Sequence, residues 1–384
     1  MRLAYVTETF PPEINGVALT AERFVSGLRA RGHVIDLVRP RQSQEAPLET
    51  SSELRSPGIP IPMYRDLRIG LPVVSRLSRR WQISRPELVH VATEGPLGWA
   101  AIRAARANGL PVTSDFRTNF DQYSEHYGFG FLRGLVGGYL KHFHNATDRT
   151  FVPTPAVHDA LTEQGYRHVE VVGRGVDTEI FSPLHASAEL RASWGAAESD
   201  PVLLYVGRLA SEKNVPLAFR AFEAARARVP GVRFVVVGDG PLHQKLARAH
   251  PDAIFAGPQR GARLAQYYAS ADAFLFPSLT ETFGNVTLEA LASGLLVIAF
   301  RSGAAAVHID DCTSGVLIEP GDEQGFVAGT CAVAHQFRWL GMLRAGARRA
   351  ALAASWDSVI DRFESCLSDA AHAVQAPLAE SCPA

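Results

Sequence analysis

The chain predicts an α/β protein made of two doubly wound, mostly parallel sheets, one in each half. Two observations carry this reading. Short apolar runs alternate with helical stretches along the chain, the mark of parallel strands joined by crossover helices. The alternation then begins again after a turn at residues 177–183, so the second half repeats the plan of the first. A third observation bears on function. Charged and glycine-rich segments follow directly behind strand ends, where helices start.

The first half is expected to cover residues 1–180. Residues 3–6 read as a buried strand, followed by a glycine loop at Gly16 and a helix over residues 20–31 with Phe24 and Leu28 inward. Residues 34–38 and 88–91 are further short apolar strands. Residues 41–60 are polar and rich in Pro and Ser, and read as a loop over the sheet. A helix over residues 97–107 and a strand over 112–114 follow.

The second half is expected to cover residues 181–355. Strands are expected at residues 202–206, 234–237, 253–255, 273–276 and 296–299, with helices between them, one from about Pro216 and one from about Val286. A last helix is expected over residues 356–367, and a short Pro-containing tail from Gln375 reads as disordered.

Composition narrows the class. A length of 384 residues suits two or three ordinary domains, and 47% apolar residues can fill their cores. A net charge of −1 gives no bias toward nucleic acid. The four cysteines, Cys312, Cys331, Cys366 and Cys382, form no close pair and read as reduced thiols of a cytoplasmic protein. The N-terminus goes straight into a strand with no leader. No apolar run approaches the ~20 residues that span a bilayer.

The most telling segment is 277–294, Pro-Ser-Leu-Thr-Glu-Thr-Phe-Gly-Asn-Val-Thr-Leu-Glu-Ala-Leu-Ala-Ser-Gly. A strand runs into it and a helix runs out. The helix start offers unpaired N–H groups and the positive end of its dipole. Glu281 lies before the helix and Glu289 about one turn inside it. Anionic oxygens suit the helix start and hydroxyls suit the carboxylates, and a sugar nucleotide offers both. Either glutamate alone reads more readily as a solvated surface residue.

A second constellation lies upstream. The strand at 202–206 ends at Gly207, and Arg208 and Lys213 follow on the loop. A planar, permanently charged guanidinium beside a flexible ammonium can clamp a diphosphate. Taken alone, such a pair is usually solvated or ion-paired.

With these segments in order, the chain resembles family 4 of the retaining, nucleotide-sugar-dependent glycosyltransferases, whose GT-B fold sets two Rossmann-like domains across a cleft. The opening, with Glu13-Ile14-Asn15-Gly16-Val17, is similar to that family's first strand and glycine loop. The stretch Gly175-Val176-Asp177 to Pro183 is similar to its interdomain hinge, and the Arg208/Lys213 and Glu281/Glu289 segments to its donor motifs. The resemblance implies that residues 356–384 begin with a helix crossing back to the first domain. Arg174-Gly175-Val176-Asp177 and the opening also resemble bacterial GDP-mannose-dependent α-mannosyltransferases acting on glycolipids.

The resemblance implies roles. Arg208 and Lys213 neutralise the donor diphosphate, Glu289 accepts from ribose hydroxyls, and Glu281 with Thr282, Phe283, Gly284, Asn285 and Val286 holds the sugar and phosphates. Gly16 and Gly207 let backbone approach the ligand. Transfer retains configuration by front-face displacement. Neither cofactor nor metal is expected, since the two cations and the helix start take a metal's place.

Other segments are more ambiguous. Gly238 and Gly240 fail as a dinucleotide fingerprint, because His243 holds the third glycine position, and they fit better as a turn beside the nucleotide. Asp115, Arg117, Asn119 and His126 follow a strand, and with Asn15 they are candidate sugar or acceptor contacts. Many family members carry His where Arg117 falls. A guanidinium cannot shuttle protons but can pair with phosphate or an acidic acceptor. His90 is an alternative, although a lone His is more often structural.

Arg65, Arg68, Arg76, Arg79 and Arg80 cluster around Leu67, Ile69, Leu71, Leu77 and Trp81, and aromatics including Phe129, Phe131 and Tyr139 lie near Arg133 and Lys141. Such stripes can lie on anionic lipid at the inner membrane face, and they fit core-facing helices with a solvated basic side equally well. The expected partners are a nucleotide-sugar donor and a lipid-linked or glycan acceptor, with no nucleic acid. The alternatives are a UDP-sugar-dependent glucosyl, glucuronosyl or sulfoquinovosyl glycolipid synthase, a nucleotide-sugar epimerase, or a non-catalytic sugar-nucleotide module. An epimerase needs acid/base carboxylates and histidines in its cleft. A non-catalytic module is expected to lose Arg208, Lys213 or Glu281.

Overall fold

The structure is a computed structural model that describes residues 1–13, 15–42, 45–61, 64–117, 133–279, 283–336 and 340–373. It divides into two compact units, Met1–Gly173 together with the chain from Val359, and Arg174–Ser358.

The first unit contains β1 (Arg2–Val6), α1 (Gly16–Ala30), β2 (Val34–Pro40), β3 (Glu53–Ser56), β4 (Gly58–Ile61), β5 (Tyr64–Gly70), α2 (Val74–Ser84), β6 (Leu88–Val91), α3 (Pro96–Ala107), β7 (Val112–Asp115), α4 (Arg133–Asn145), β8 (Arg149–Val152), α5 (Pro155–Glu163) and β9 (Val169–Val171). Its seven-stranded sheet has the order β3-β2-β1-β6-β7-β8-β9, with every pair parallel. Strands that face protein on both sides read as unbroken apolar runs, and Leu88, Val89 and Val91 of β6 are fully buried.

The second unit contains α6 (Ala188–Ser193), β10 (Val202–Val206), α7 (Val215–Arg228), β11 (Arg233–Val237), α8 (His243–Ala249), β12 (Ile254–Gly257), α9 (Gly261–Ala269), β13 (Ala273–Phe276), α10 (Asn285–Ala292), β14 (Leu296–Phe300), α11 (Gly303–His308), β15 (Gly315–Ile318), α12 (Glu323–Gln336) and α13 (Gly341–Ala353). Its six-stranded sheet, β12-β11-β10-β13-β14-β15, is also all parallel. Core residues pack on both faces, Leu204, Val235 and Phe274 on one and Tyr205, Phe234 and Leu275 on the other.

The last helix, α14 (Trp356–Ala373), packs on the first unit from Val359 onward. Phe363 lies 4.2 Å from the Phe24 ring, and Asp361 and Glu364 pair with Arg31 and His33. Ile360 fills the space over Gly27, where an added Cβ would lie 2.3 Å from its Cδ1.

Both sheets share one construction. The chain winds outward on one side of the first strand, then crosses to the other side. This places a topological switch point between β1 and β6 and another between β10 and β13, and open α/β sheets hold ligands beyond the strand ends at such points.

The structure corrects three readings. Residues 41–60 are not simply a loop: β3 pairs with β2, and β4 opens an antiparallel hairpin with β5. The first helix starts at Gly16, because Asn15 caps it, accepting from the amides of Val17 and Ala18. Much of the basic stripe is engaged within the first unit. Trp81 and Leu77 are core residues, Arg80 makes a bidentate bond to Asp36, Arg76 pairs with Glu49 and Arg68 donates to the Gly58 carbonyl. The side chain of Arg65, the residues Phe129 and Phe131, and the tail from Gln375 lie outside what is described. No described helix is long and apolar enough to cross a membrane.

Candidate functional site

At the second switch point the loop after β10 and the loop after β11 are stitched backbone to backbone. Gly207 N donates to Val237 O at 3.0 Å, Leu209 N to Asp239 O at 2.9 Å, and Leu242 N to Leu209 O at 2.9 Å. The glycines follow from this contact. A Cβ on Gly238, whose φ is 135°, would fall 1.9 Å from Gly207 O, and one on Gly240 would fall 2.5 Å from Leu209 O. Gly238 and Gly240 are thus required by their neighbouring loop, a need their sequence pattern does not reveal.

Arg208 lies on this stitched loop and Lys213 ends the short turn that follows it. The Arg208 side chain is 59% exposed and lies 3.8 Å from Glu212, a pair that solvent screens and that holds the guanidinium weakly. Its carbonyl is fixed from below by the Tyr205 hydroxyl at 3.0 Å. A 3-10 turn, Ser211–Lys213, leads into left-handed Asn214 and then α7. Leu279 N donates to Glu212 O at 3.2 Å, which joins this loop to the one leaving β13.

That second loop delivers α10. Its N-cap is Gly284 in the left-handed region, φ 91°, which has no side chain to bond the first amides, and its first turn carries no acid. The helix start is thus set up for an anion. Gly284, Asn285 and Val286 are partly exposed there. Glu289, one turn in, accepts from the Tyr268 hydroxyl at 3.0 Å. Burial pushes the Glu289 carboxyl up to about 7, against the stabilising bond from Tyr268.

The far end of α10 is held by cations from α13. Arg348 donates to the carbonyls of Ala292 at 2.5 Å, Phe181 at 2.8 Å and Thr178 at 2.9 Å, and Arg344 donates to Gly294 O at 2.9 Å. Positive charge on the last carbonyls satisfies groups that the helix cannot, and suits its dipole. Burial lowers the Arg348 pKa.

The first switch point contrasts with this. Leu97 N, in the first turn of α3, donates to Glu8 Oε1 at 2.8 Å, and Glu8 N donates to Thr93 Oγ1 at 2.8 Å. The helix start is occupied by the protein's own carboxylate. Burial and the charge of Glu94 push Glu8 up to about 7, although backbone amides oppose the shift. Asn15 spends its amide on capping α1 and on Thr9, and Gly16 is the first residue of that helix.

Asp115 and Arg117 are internal. Arg117 is 3% exposed and donates to Asp115 at 3.2 Å, Val172 O at 2.9 Å and Gly173 O at 3.1 Å. The Arg117 charge is the main influence holding the Asp115 carboxyl down at about 2 against its burial. His90 bonds Thr113 at 2.9 Å and lies against Asp115, fully buried.

Comparison with known proteins now bears on this geometry. Residues 14–180 match the family model described as Glycosyltransferase Family 4, and residues 200–336 the one described as Glycosyl transferases group 1. The chain is 32% identical over 371 residues to a GDP-mannose-dependent alpha-mannosyltransferase of Mycobacterium tuberculosis, covering 94% of this chain and 95% of that one. It belongs to glycosyltransferase family 4. A protein of the same description from Mycolicibacterium smegmatis is 34% identical, covering 94% and 96%. The sulfoquinovosyl transferase SQD2 of Arabidopsis thaliana is 28% identical, covering 87% and 67%. A sucrose-phosphate synthase structure from Thermosynechococcus elongatus superimposes with a TM-score of 0.77 at 19% identity, covering 97% and 99%, and thereby shows the GT-B fold.

In this glycosyltransferase, then, the structure brings Gly207, Arg208, Lys213, Gly284, Asn285, Val286 and Glu289 to the strand ends of β10 and β13. Four expectations change. Phe283 is a core residue, 2% exposed, beneath the Arg174 guanidinium at 5.9 Å, and does not face a ligand. Asp115 and Arg117 are spent on each other and on backbone carbonyls, and Asn15 on a helix cap. Glu281, Thr282, Asn119 and His126 lie outside the described residues. Tyr205, Tyr268, Arg344 and Arg348 were missed. An aromatic on an apolar strand or helix reads as core, and an arginine on a distant helix gives no sequence sign of the carbonyls it will meet.

Proposed function

We propose that this glycosyltransferase moves a mannosyl group from GDP-mannose to a lipid-linked or glycan acceptor with retention of configuration. The observation that carries the reading is the start of α10, which among the described residues has no side-chain cap and no acid in its first turn, on the same sheet mouth as Arg208 and Glu289. Arg208 and Lys213 neutralise the diphosphate as the leaving group gains charge. The start of α10 adds backbone amides, and Glu289 accepts from the ribose hydroxyls. Glu281 and the turn up to Asn285 hold the sugar. The leaving phosphate oxygen takes the acceptor proton, and no divalent ion is required. The names of the mycobacterial relatives support mannose.

The Arabidopsis relative supports a second reading, transfer from a UDP-sugar to lipid. A panel of GDP- and UDP-sugars with lipid acceptors in excess chelator, read by mass spectrometry and anomeric NMR, separates the two. α-Mannosyl product from GDP-mannose is expected. Turnover with UDP-sugars alone overturns the donor. Activity lost on chelation and restored by magnesium or manganese overturns the metal-free route.

The protein works in the cytoplasm, with a peripheral contact to anionic membrane where a lipid acceptor is reached. Exposed Arg79 and Ile83, the latter 80% exposed, support a role for α2. Anionic liposomes at low salt test this. A double change, Arg79→Gln with Ile83→Ser, is expected to lower co-sedimentation, and equal partitioning ends the reading.

A further inference from the structure

We propose that Tyr268 is a positioning residue for donor binding, whose hydroxyl keeps the Glu289 carboxylate ionised and turned to the donor ribose. This rests on the ribose role given to Glu289 above. Tyr268 is fully buried on α9, its ring edge-on to Phe181 at 5.6 Å and tilted against Phe274 at 5.8 Å. A phenylalanine would serve that packing. A buried phenol is costly to desolvate unless its hydroxyl is bonded, and here the hydroxyl meets Glu289 Oε2 at 3.0 Å. A phenol has two side-chain torsions, so once the ring is wedged the donor cannot swing away.

The chemistry explains why this bond matters. A ribose diol donates to a carboxylate, while a protonated carboxyl puts a competing donor in its path. Burial drives Glu289 toward that protonated form while donation from Tyr268 favours the ionised form, and the balance places its titration at about 7. Among the described residues, the elements packed on α10 bring few other charges. Tyr205 on β10 stands behind Tyr268. Tyr267 on α9 turns to Trp194, and His308 on α11 lies against Phe283 with its pKa lowered by burial to about 4. Arg344 and Arg348 on α13 are bonded to carbonyls at the helix end.

The test is the pH profile of donor kcat/KM for wild type, Tyr268→Phe and Glu289→Gln, with melting temperatures and GDP affinity by calorimetry. In Tyr268→Phe the acid limb should move up by about one pH unit, with near-wild-type values at high pH and an unchanged acceptor KM. The same shift should appear in GDP affinity, which needs no turnover. A limb that stays in place, including a uniform drop at every pH, overturns the proposal and leaves Tyr268 a packing residue. Glu289→Gln should lose the limb and at least tenfold in donor kcat/KM. If it keeps both, the ribose reading itself fails, whatever Tyr268→Phe does.

Discussion

The mouth between β1 and β6 and the mouth between β10 and β13 are built alike and finished differently. In each, a helix starts just beyond the second strand of the pair, α3 in the first unit and α10 in the second. The start of α3 is filled by Glu8. The start of α10 follows Gly284, with no acid in its first turn. The charged residues behind the first sheet turn inward, Arg117 onto Asp115 and two carbonyls, while Arg208 in the second unit stays 59% exposed. The two parallel sheets therefore each supply a comparable place for an anion, and in the first it is taken by the side chain of Glu8.

Five substitutions probe this contrast. The largest effect is expected for Arg117→Ala. It leaves Asp115 charged and buried, which costs about 3–5 kcal/mol when one partner of such a pair is removed. Turnover per folded molecule should survive, as shown by denaturant melts beside rates normalised to folded protein. A stable variant with lost turnover would move Arg117 to the ligand side.

Gly238→Ala comes next. Its methyl would meet Gly207 O at 1.9 Å, so the stitched loops must part, at about 1–3 kcal/mol of overpacking strain. Donor turnover should fall with stability because the loop carrying Arg208 moves. Wild-type melting and turnover together would show that the loops are not the rigid base described above.

Arg208→Ala and Lys213→Ala should each lower donor turnover at least tenfold, the loss of charge-assisted bonds worth roughly 1.5–3 kcal/mol. For exposed Arg208, stability should stay within about 0.5 kcal/mol. Near-normal turnover in both would remove the diphosphate from this mouth.

Glu8→Gln is the mildest. It removes a charge whose attraction to the helix start, about 0.3–1 kcal/mol, is opposed by the burial that pushes the carboxyl up. Its pH signature is more telling. The folded-state pKa of Glu8 lies near 7, above its unfolded value. Between the two, the folded state binds the extra proton, so stability falls as pH rises from about 4.5 to 7. Melting temperature against pH should show a shallower decline in Glu8→Gln over that window. An unchanged slope would mean that Glu8 is not the titrating group.

The sequence by itself determined the two parallel sheets. Their strands are continuous apolar runs, because a strand covered on both faces has no polar side to show. It also determined the strand-loop-helix places of Arg208, Lys213 and Glu289, since these follow strand ends directly. It did not show β3 or the hairpin of β4 and β5, which lie in a polar stretch where pairing partners rather than apolar content define strands. Only the tertiary structure decided that Gly238 and Gly240 answer to Gly207 and Leu209, that Phe283 is core, that Arg117 and Asp115 face inward, and that Tyr268 on the preceding helix and Arg348 on a distant one brace α10. The physical reason is common to all of these. Periodicity and turn chemistry are local and leave a mark in sequence, whereas the partner of a buried polar group is chosen by which distant backbone folding brings within 3 Å.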